Sequence, residues 1–219
     1  MLNKSLAYPD LSTAGRELAP HVAAYENDSN AIVLGVALGG VPVAREVANF
    51  LDAPLDLILI RRLLAPEGPD SLLCAVNVAG SLVLDDGLEL SDAPATPIEY
   101  FLADAVGELK QRELVCRRGR APIDIAGRTV ILVDCAIRTG STVKTSMGAL
   151  RKMRPGKVVG AVPVASPEGY AAVVDLFEEL VVLAQPQKFG NAGVWYRDFS
   201  RPDDNHVSEL LDPIKNQRS

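Results

Sequence analysis

Short apolar runs rich in β-branched residues recur along the chain: AIVLGV at 31–36, LDLILI at 55–60, TVILV at 129–133, KVVGAVPVA at 157–165 and LVVL at 180–183. Such runs read as strands buried in a sheet interior. Helical patterns separate them, and strand–helix alternation at this spacing builds βαβ units and hence a parallel sheet. The expected fold class is therefore α/β, an open, doubly wound, mostly parallel sheet. Sheets of this kind bind ligands outside the carboxyl ends of their strands. Gly39, Arg62 and Asp134 all fall at such ends, which groups them into one site.

The connecting segments fill in this frame. Leu11 to Tyr25 predicts a helix, with Leu18, Val22 and Tyr25 near helical spacing, broken by Asp28-Ser29-Asn30. After the first run, Ala37-Leu38-Gly39-Gly40 reads as a tight turn, and Pro42 is expected at the start of the next helix, which carries Val43, Val47 and Phe50 or Leu51. Leu63 to Gly80 is punctuated by Pro66, Gly68 and Pro69, followed by Cys74-Ala75-Val76 and Ser81 to Leu84, an antiparallel excursion after a long loop. Thr96-Pro97-Ile98-Glu99 is a capping box opening a helix with Ile98, Phe101, Leu102, Ala105 and Leu109 on one face. Glu108 with Arg112, and Glu113 with Arg117, are i, i+4 pairs for its exposed sides, and Gly119 ends it. This helix is expected to be structural. Ser166-Pro167-Glu168 opens a last helix with Tyr170, Val173, Val174 and Phe177.

The chemistry concentrates in Thr129 to Arg154. The run Val130 to Val133 ends at Asp134, and Thr139-Gly140-Ser141-Thr142 forms a polar turn before a helix with Val143, Met147 and Leu150 on one face, stopped by Pro155-Gly156. The unpaired N–H groups of such a turn and first helical turn converge on one spot, where the helix dipole favours an anion. Hydroxyls of Thr139, Ser141 and Thr142 add donors. An ordinary strand–turn–helix with Ser141 or Thr142 as N-cap fits the same local pattern.

This stretch resembles the phosphoribosyl-pyrophosphate (PRPP) motif of type I phosphoribosyltransferases: an apolar strand, adjacent acids, then a Thr-Gly-rich loop. The resemblance runs from about residue 10 to 199 of a single 1–219 domain. It includes GGVPVA at 39–44, Arg61-Arg62 with Pro69-Asp70, and Trp195-Tyr196 with Asp198-Phe199, which match a subgroup of predicted phosphoribosyltransferases. It implies a Rossmann-like phosphoribosyltransferase fold with a flap at about 63–90 and a C-terminal hood at about 186–205. It also assigns roles. Asp134 and Cys135 stand at the two acid positions that hold the ribose hydroxyls. Arg138, Thr139, Gly140, Ser141 and Thr142 form the 5′-phosphate loop, and Leu38, Gly39 and Gly40 the pyrophosphate loop. Asp134 and Arg62 are the catalytic candidates, Arg62 reaching pyrophosphate. Trp195 and Tyr196 either form a lid of core aromatics or stack on a planar base. Mg²⁺ is implied, with Asp134 as an indirect partner, as are PRPP or a nucleotide and a base as small-molecule ligands, and a homodimer. The chain departs from the pattern at Cys135, where the second acid belongs, at Leu38, where the subgroup carries arginine, and at Arg138, where the loop usually has a small residue.

The expected reaction is 5-phosphoribosyl transfer to or from a nitrogenous base with pyrophosphate release. The alternative is a catalytically silent relative that binds a phosphorylated nucleotide as a sensor or regulator. An oxidoreductase of Rossmann type is disfavoured, because Gly35, Gly39 and Gly40 miss the GxGxxG spacing and Asp52 or Asp56 poorly match the ribose-binding acid. A net charge of −6 over 219 residues argues against nucleic acid as a partner. Arg117, Arg118 and Arg120 are expected to cap a helix and stay solvated. No apolar run reaches the ~20 residues of a membrane span. The N-terminus MLNKSLAYPD lacks the apolar core of a signal peptide, and three cysteines without CxxC spacing predict a cytoplasmic protein with free thiols. His21 and His206 are too isolated for a His-centred site.

Overall fold

The structure, a computed structural model, describes residues 7–64, 72–77, 82–84 and 95–212, and within 62–102 the backbone alone. A five-stranded parallel sheet runs in the order β2-β1-β6-β7-β8, from β1 (Ala31–Val36), β2 (Leu55–Ile58), β6 (Thr129–Val133), β7 (Lys157–Val164) and β8 (Glu179–Ala184). A separate antiparallel sheet takes the order β3-β4-β5, from β3 (Ile60–Leu64), β4 (Leu72–Asn77) and β5 (Leu82–Leu84). The antiparallel excursion is thus present in the backbone, while residues 65–71, 78–81 and 85–90 of the expected flap lie outside the described residues.

The helices are α1 (Leu11–Leu18), α2 (Ala37–Leu51), α3 (Ala95–Arg117), α4 (Ser141–Met153), α5 (Pro167–Ala171) and α6 (Asp204–Leu210). Strand alternation sorts the core onto the two faces of the sheet. Val33, Ile131, Val133 and Val159 pack with Leu18 of α1 and Val43 and Val47 of α2. Ile32, Leu34, Val130, Leu132 and Val158 point the other way and pack with Val143, Met147 and Leu150 of α4. No helix of the described residues is long and apolar enough to cross a membrane.

Several boundaries differ from expectation, each for a physical reason. The helix from Leu11 gives way to a 3₁₀ segment at Ala19–Tyr25, where Pro20 stands at its start. Helix α2 begins at Ala37, so Ala37-Leu38-Gly39-Gly40, expected as a tight turn before the helix, is its first turn and Pro42 lies inside it; with no N–H to offer, the proline leaves the Leu38 carbonyl without that helical bond. The run LDLILI splits at Leu59, its last residue leaving the parallel sheet for β3. The helix after Ser166 lasts only to Ala171 and is followed by a 3₁₀ turn at Val174–Leu176.

Polar partners also correct the reading of α3. Glu113 and Arg117 pair as expected at 3.0 Å, but Arg117 is buried and also bonds the Asp56 carboxylate and, at 3.0 Å, the Leu57 carbonyl. Asp56 further accepts the N–H groups of Leu57 and Ile123, at 2.8 and 2.9 Å. Arg117 therefore ties the end of α3 to the edge strand β2, where solvation had been expected. Removing one partner leaves the other charge buried and uncompensated. Arg117→Met should cost about 3–5 kcal/mol of stability by urea denaturation, whereas Leu114→Ala, on the exposed face of the same helix, should stay within about 0.5 kcal/mol.

Candidate functional site

In the parallel sheet β1 continues through α2 to β2 on one side, and β6 continues through α4 to β7 on the other, so the winding reverses between β1 and β6. The loops leaving these two strands flank a crevice. That crevice is a cleft of about 1070 Å³, its walls including Ala37–Gly39, Asp134–Val143, Arg61, Glu108, Arg112, Phe199 and Arg201. The structure brings the two loops read from the sequence to one cavity.

Glycines allow the close approach. A Cβ on Gly40 would sit 2.8 Å from the Val133 carbonyl oxygen, and one on Gly39 would sit 3.4 Å from Cys135 Sγ. Ala37, at the junction of β1 and α2, has φ of 50°, a left-handed conformation that strains a non-glycine residue. Both α2 and α4 open without a side-chain bond from their N-cap residues, Val36 and Gly140. Gly140 has φ of 81°, and a Cβ there would lie 2.5 Å from Val173 Cγ1. Around it, the Thr139 and Ser141 hydroxyls are 3.2 Å apart, and the Ser166 hydroxyl donates to the Arg138 carbonyl. Gly140, rather than Ser141 or Thr142, is the N-cap. Two helix N-termini thus open on one cleft, an arrangement that suits an anionic ligand.

Asp134 stands between them. Its carboxyl accepts the Cys135 N–H at 2.7 Å and is buried. Desolvation pushes its pKa up from 3.8 to about 6, against the lowering effect of that bond and of the Arg201 charge. Cys135 is buried too, and burial with the neighbouring Asp134 charge holds its thiol well above the usual range. It is a neutral thiol beside the acid.

The other predicted residues fall as follows. Arg138, Thr139, Gly140, Ser141 and Thr142 line the cleft. Leu38 lines it and also packs against the cluster containing Val41, Leu57, Leu109, Val207 and Leu211. The side chain of Arg62 lies outside the described residues; its neighbour Arg61 lines the cleft and pairs with Glu108. Trp195 and Tyr196 belong to the core instead of the cleft wall. The Trp195 indole N–H donates to the Phe189 carbonyl at 2.9 Å, and the Tyr196 hydroxyl donates to the Cys135 carbonyl. The aromatic residue exposed to the cavity is Phe199, which stacks on Tyr196 with ring centroids 5.1 Å apart.

The sequence reading passed over Arg201, Glu108, Arg112 and Asp204, all of which line the cleft. Arg112 pairs with Asp204 of α6 at 3.0 Å instead of with Glu108, so α3 contributes a polar wall and is more than a prop. Only Arg201 had a local signal, as an arginine two residues beyond the aromatic cluster. His21 and His206 are exposed, and Cys116 and Cys135 are free thiols.

For Mg²⁺ the donor set is thin. Among the described residues no three His, Cys, Asp or Glu side chains gather as a metal site. Glu108 and Asp204 are engaged by arginines, and the buried Asp134 accepts a backbone N–H and lies within the field of the Arg201 charge. These residues do not form a protein-held divalent site.

The chain matches the model of the phosphoribosyl transferase domain over residues 6–190 and belongs to that family. Proteins named "Putative phosphoribosyl transferase" from two strains of Mycobacterium tuberculosis, CDC 1551 / Oshkosh and ATCC 25618 / H37Rv, are each 36% identical over 210 residues. The alignment covers 94% of this chain and 46% of theirs, so the chain spans about half the length of these curated relatives. The crystal structure of TT1426 from Thermus thermophilus superposes with a TM-score of 0.77 at 36% identity, covering 94% of this chain and 97% of that one. A hypothetical protein from Neisseria gonorrhoeae with bound ppGpp shares the fold at a TM-score of 0.50 and 14% identity, over 94% and 93% of the two chains.

Two measurements test this geometry. Because the folded pKa of Asp134 lies above its unfolded value, the folded chain holds the extra proton between pH 3.8 and about 6. The stability advantage of a protonated Asp134 is complete below that window and is lost as pH rises through it. The urea midpoint of the native chain should therefore fall, relative to Asp134→Asn, between about pH 4 and about pH 7. Gly140→Ala forces a left-handed alanine against Val173 and should cost about 1–3 kcal/mol, with weaker binding of ribose 5-phosphate in a calorimetric titration.

Proposed function

We propose that the cleft binds PRPP or a nucleoside monophosphate and transfers the 5-phosphoribosyl group to or from a nitrogenous base. In the forward direction the bond from ribose C1 to the pyrophosphate oxygen breaks and that oxygen leaves with the electron pair. A ring nitrogen of the base bonds C1, and its proton passes to solvent. The observation that carries this reading is the opening of two uncapped helix N-termini, of α2 and α4, on one cleft with Asp134 between them. The α4 end and the Thr139–Thr142 turn take the 5′-phosphate. The α2 end takes the pyrophosphate, and Asp134 accepts from a ribose hydroxyl. A hydroxyl bonded to a carboxylate is worth roughly 1.5–3 kcal/mol, so positioning supplies the rate, with little side-chain acid–base chemistry. The base then lies towards Phe199, the aromatic side chain on the cleft wall, and the setting is cytoplasmic.

A second reading has a specific observation behind it. Cys135 gives the ribose a neutral thiol where a second carboxylate would hold a hydroxyl, and Leu38 gives the turn no charge. A chain so altered binds the same ligand without turning it over.

A pyrophosphate-release assay with PRPP and a panel of purine and pyrimidine bases separates the two. Turnover with at least one base is expected under the transferase reading. If the native chain is silent and the double variant Cys135→Asp with Leu38→Arg gains at least about tenfold activity over background, the binding reading stands in its place.

A further inference from the structure

The first turn of α2, which carries Gly39 and Gly40, has no cation of its own, and Leu38 beside them packs against an apolar cluster shared with α3 and α6. A cation nevertheless reaches it from elsewhere in the chain. Arg201 lines the same cleft, and a Cβ on Gly39 would lie 3.6 Å from its Nε and 3.9 Å from its Cδ. The arginine stem thus packs directly over Gly39. The guanidinium sits 5.2 Å from the Phe199 ring centroid, a cation–π contact that orients it while one side stays in solvent.

The segment carrying Arg201 is fixed to the rest of the site at several points. Backbone bonds join Tyr8 to Trp195, Arg197 to Tyr8 and Asp198 to Pro9, at 2.8, 2.8 and 3.0 Å. The Tyr196 hydroxyl reaches the carbonyl of Cys135, in the loop after β6. Asp198 accepts the Ser200 N–H at 2.8 Å, closing the turn just before Arg201. Downstream, Arg112 holds Asp204 at the start of α6. Arg201 is thus held between two anchored points, facing the glycine turn.

We propose that Arg201 binds the pyrophosphate side of the substrate at the Gly39–Gly40 turn, supplying from the 195–204 segment the positive charge that this turn lacks. This inference rests on the phosphoribosyl reading of the cleft. The ligand it concerns is the diphosphate end, and the 5′-phosphate at α4 is a separate contact. A guanidinium offers a planar fork of donors matched to phosphate oxygens, and removing one charge-assisted contact of this type weakens binding by about ten- to a hundredfold.

The test is calorimetric titration, in EDTA, of the full chain with inorganic pyrophosphate and separately with ribose 5-phosphate. The native chain is expected to bind both. Arg201→Gln should lose about ten- to a hundredfold in pyrophosphate affinity and keep ribose 5-phosphate affinity within about threefold. Arg201→Lys should fall between them, since it keeps the charge and loses the fork. Unchanged pyrophosphate binding in Arg201→Gln overturns the inference and leaves the phosphoribosyl reading intact, as does native pyrophosphate binding that requires Mg²⁺. Equal loss of both ligands with a lowered melting temperature marks a merely structural arginine and overturns it, and so does Arg201→Lys as weak as Arg201→Gln. Failure of the native chain to bind ribose 5-phosphate overturns the phosphoribosyl reading and this inference together.

Discussion

The parallel pairing of β1 with β6 governs the rest of the molecule. Gly35 lies opposite Val133 at the carboxyl ends of these strands, and that register delivers the next residues of each strand to the same level. Helix α2 can then start immediately above the sheet only because its neighbours lack side chains. A Cβ at Gly35 would come within 2.8 Å of Val41 Cα, and one at Gly40 within 2.8 Å of the Val133 carbonyl. Both contacts are backbone to backbone or nearly so, with no flexible side chain to yield. Two glycines and one register therefore decide whether the N-terminus of α2 faces Asp134 at all.

How much of this was legible follows from the range of the interactions involved. The strands were readable because β-branched runs of five or six residues are local signals, and the strand–turn–helix from Thr129 to Met153 because its apolar run, glycine and helical spacing are also local. The side chains that complete the cleft were not. Arg117 and Asp56 are 61 residues apart, and Arg112 and Asp204 are 92 apart, so no window on the chain contains either pair. The i, i+4 rule favoured Glu108 with Arg112, but tertiary partners across the cleft claimed both. The aromatic cluster shows another limit. Trp195 and Tyr196 carry polar tips that can satisfy a core as well as a pocket, and only the fold reveals that their partners are inward carbonyls.

The electrostatics of the acid pair explain what Cys135 does to the site. Position 135 is as buried as position 134, and Asp134 already titrates at about 6 because desolvation outweighs its hydrogen bond. A second carboxylate there would meet the same desolvation plus the repulsion of its neighbour, a combination that needs compensating cations. A neutral thiol relieves both effects. At this point of the cleft Asp134 is then the single buried carboxylate of the pair.

Leu38, Cys135 and Arg201 are linked through packing. Leu38 packs into the cluster that includes Val207 and Leu211, so the residue that removes charge from the turn adds apolar contact to the segment of α6. That segment follows Arg201 by only a few residues, and Tyr196 pins the stretch before it to the carbonyl of Cys135. The position of the Arg201 guanidinium at the cleft therefore depends on the packing of Phe199, Tyr196 and the start of α6 around it.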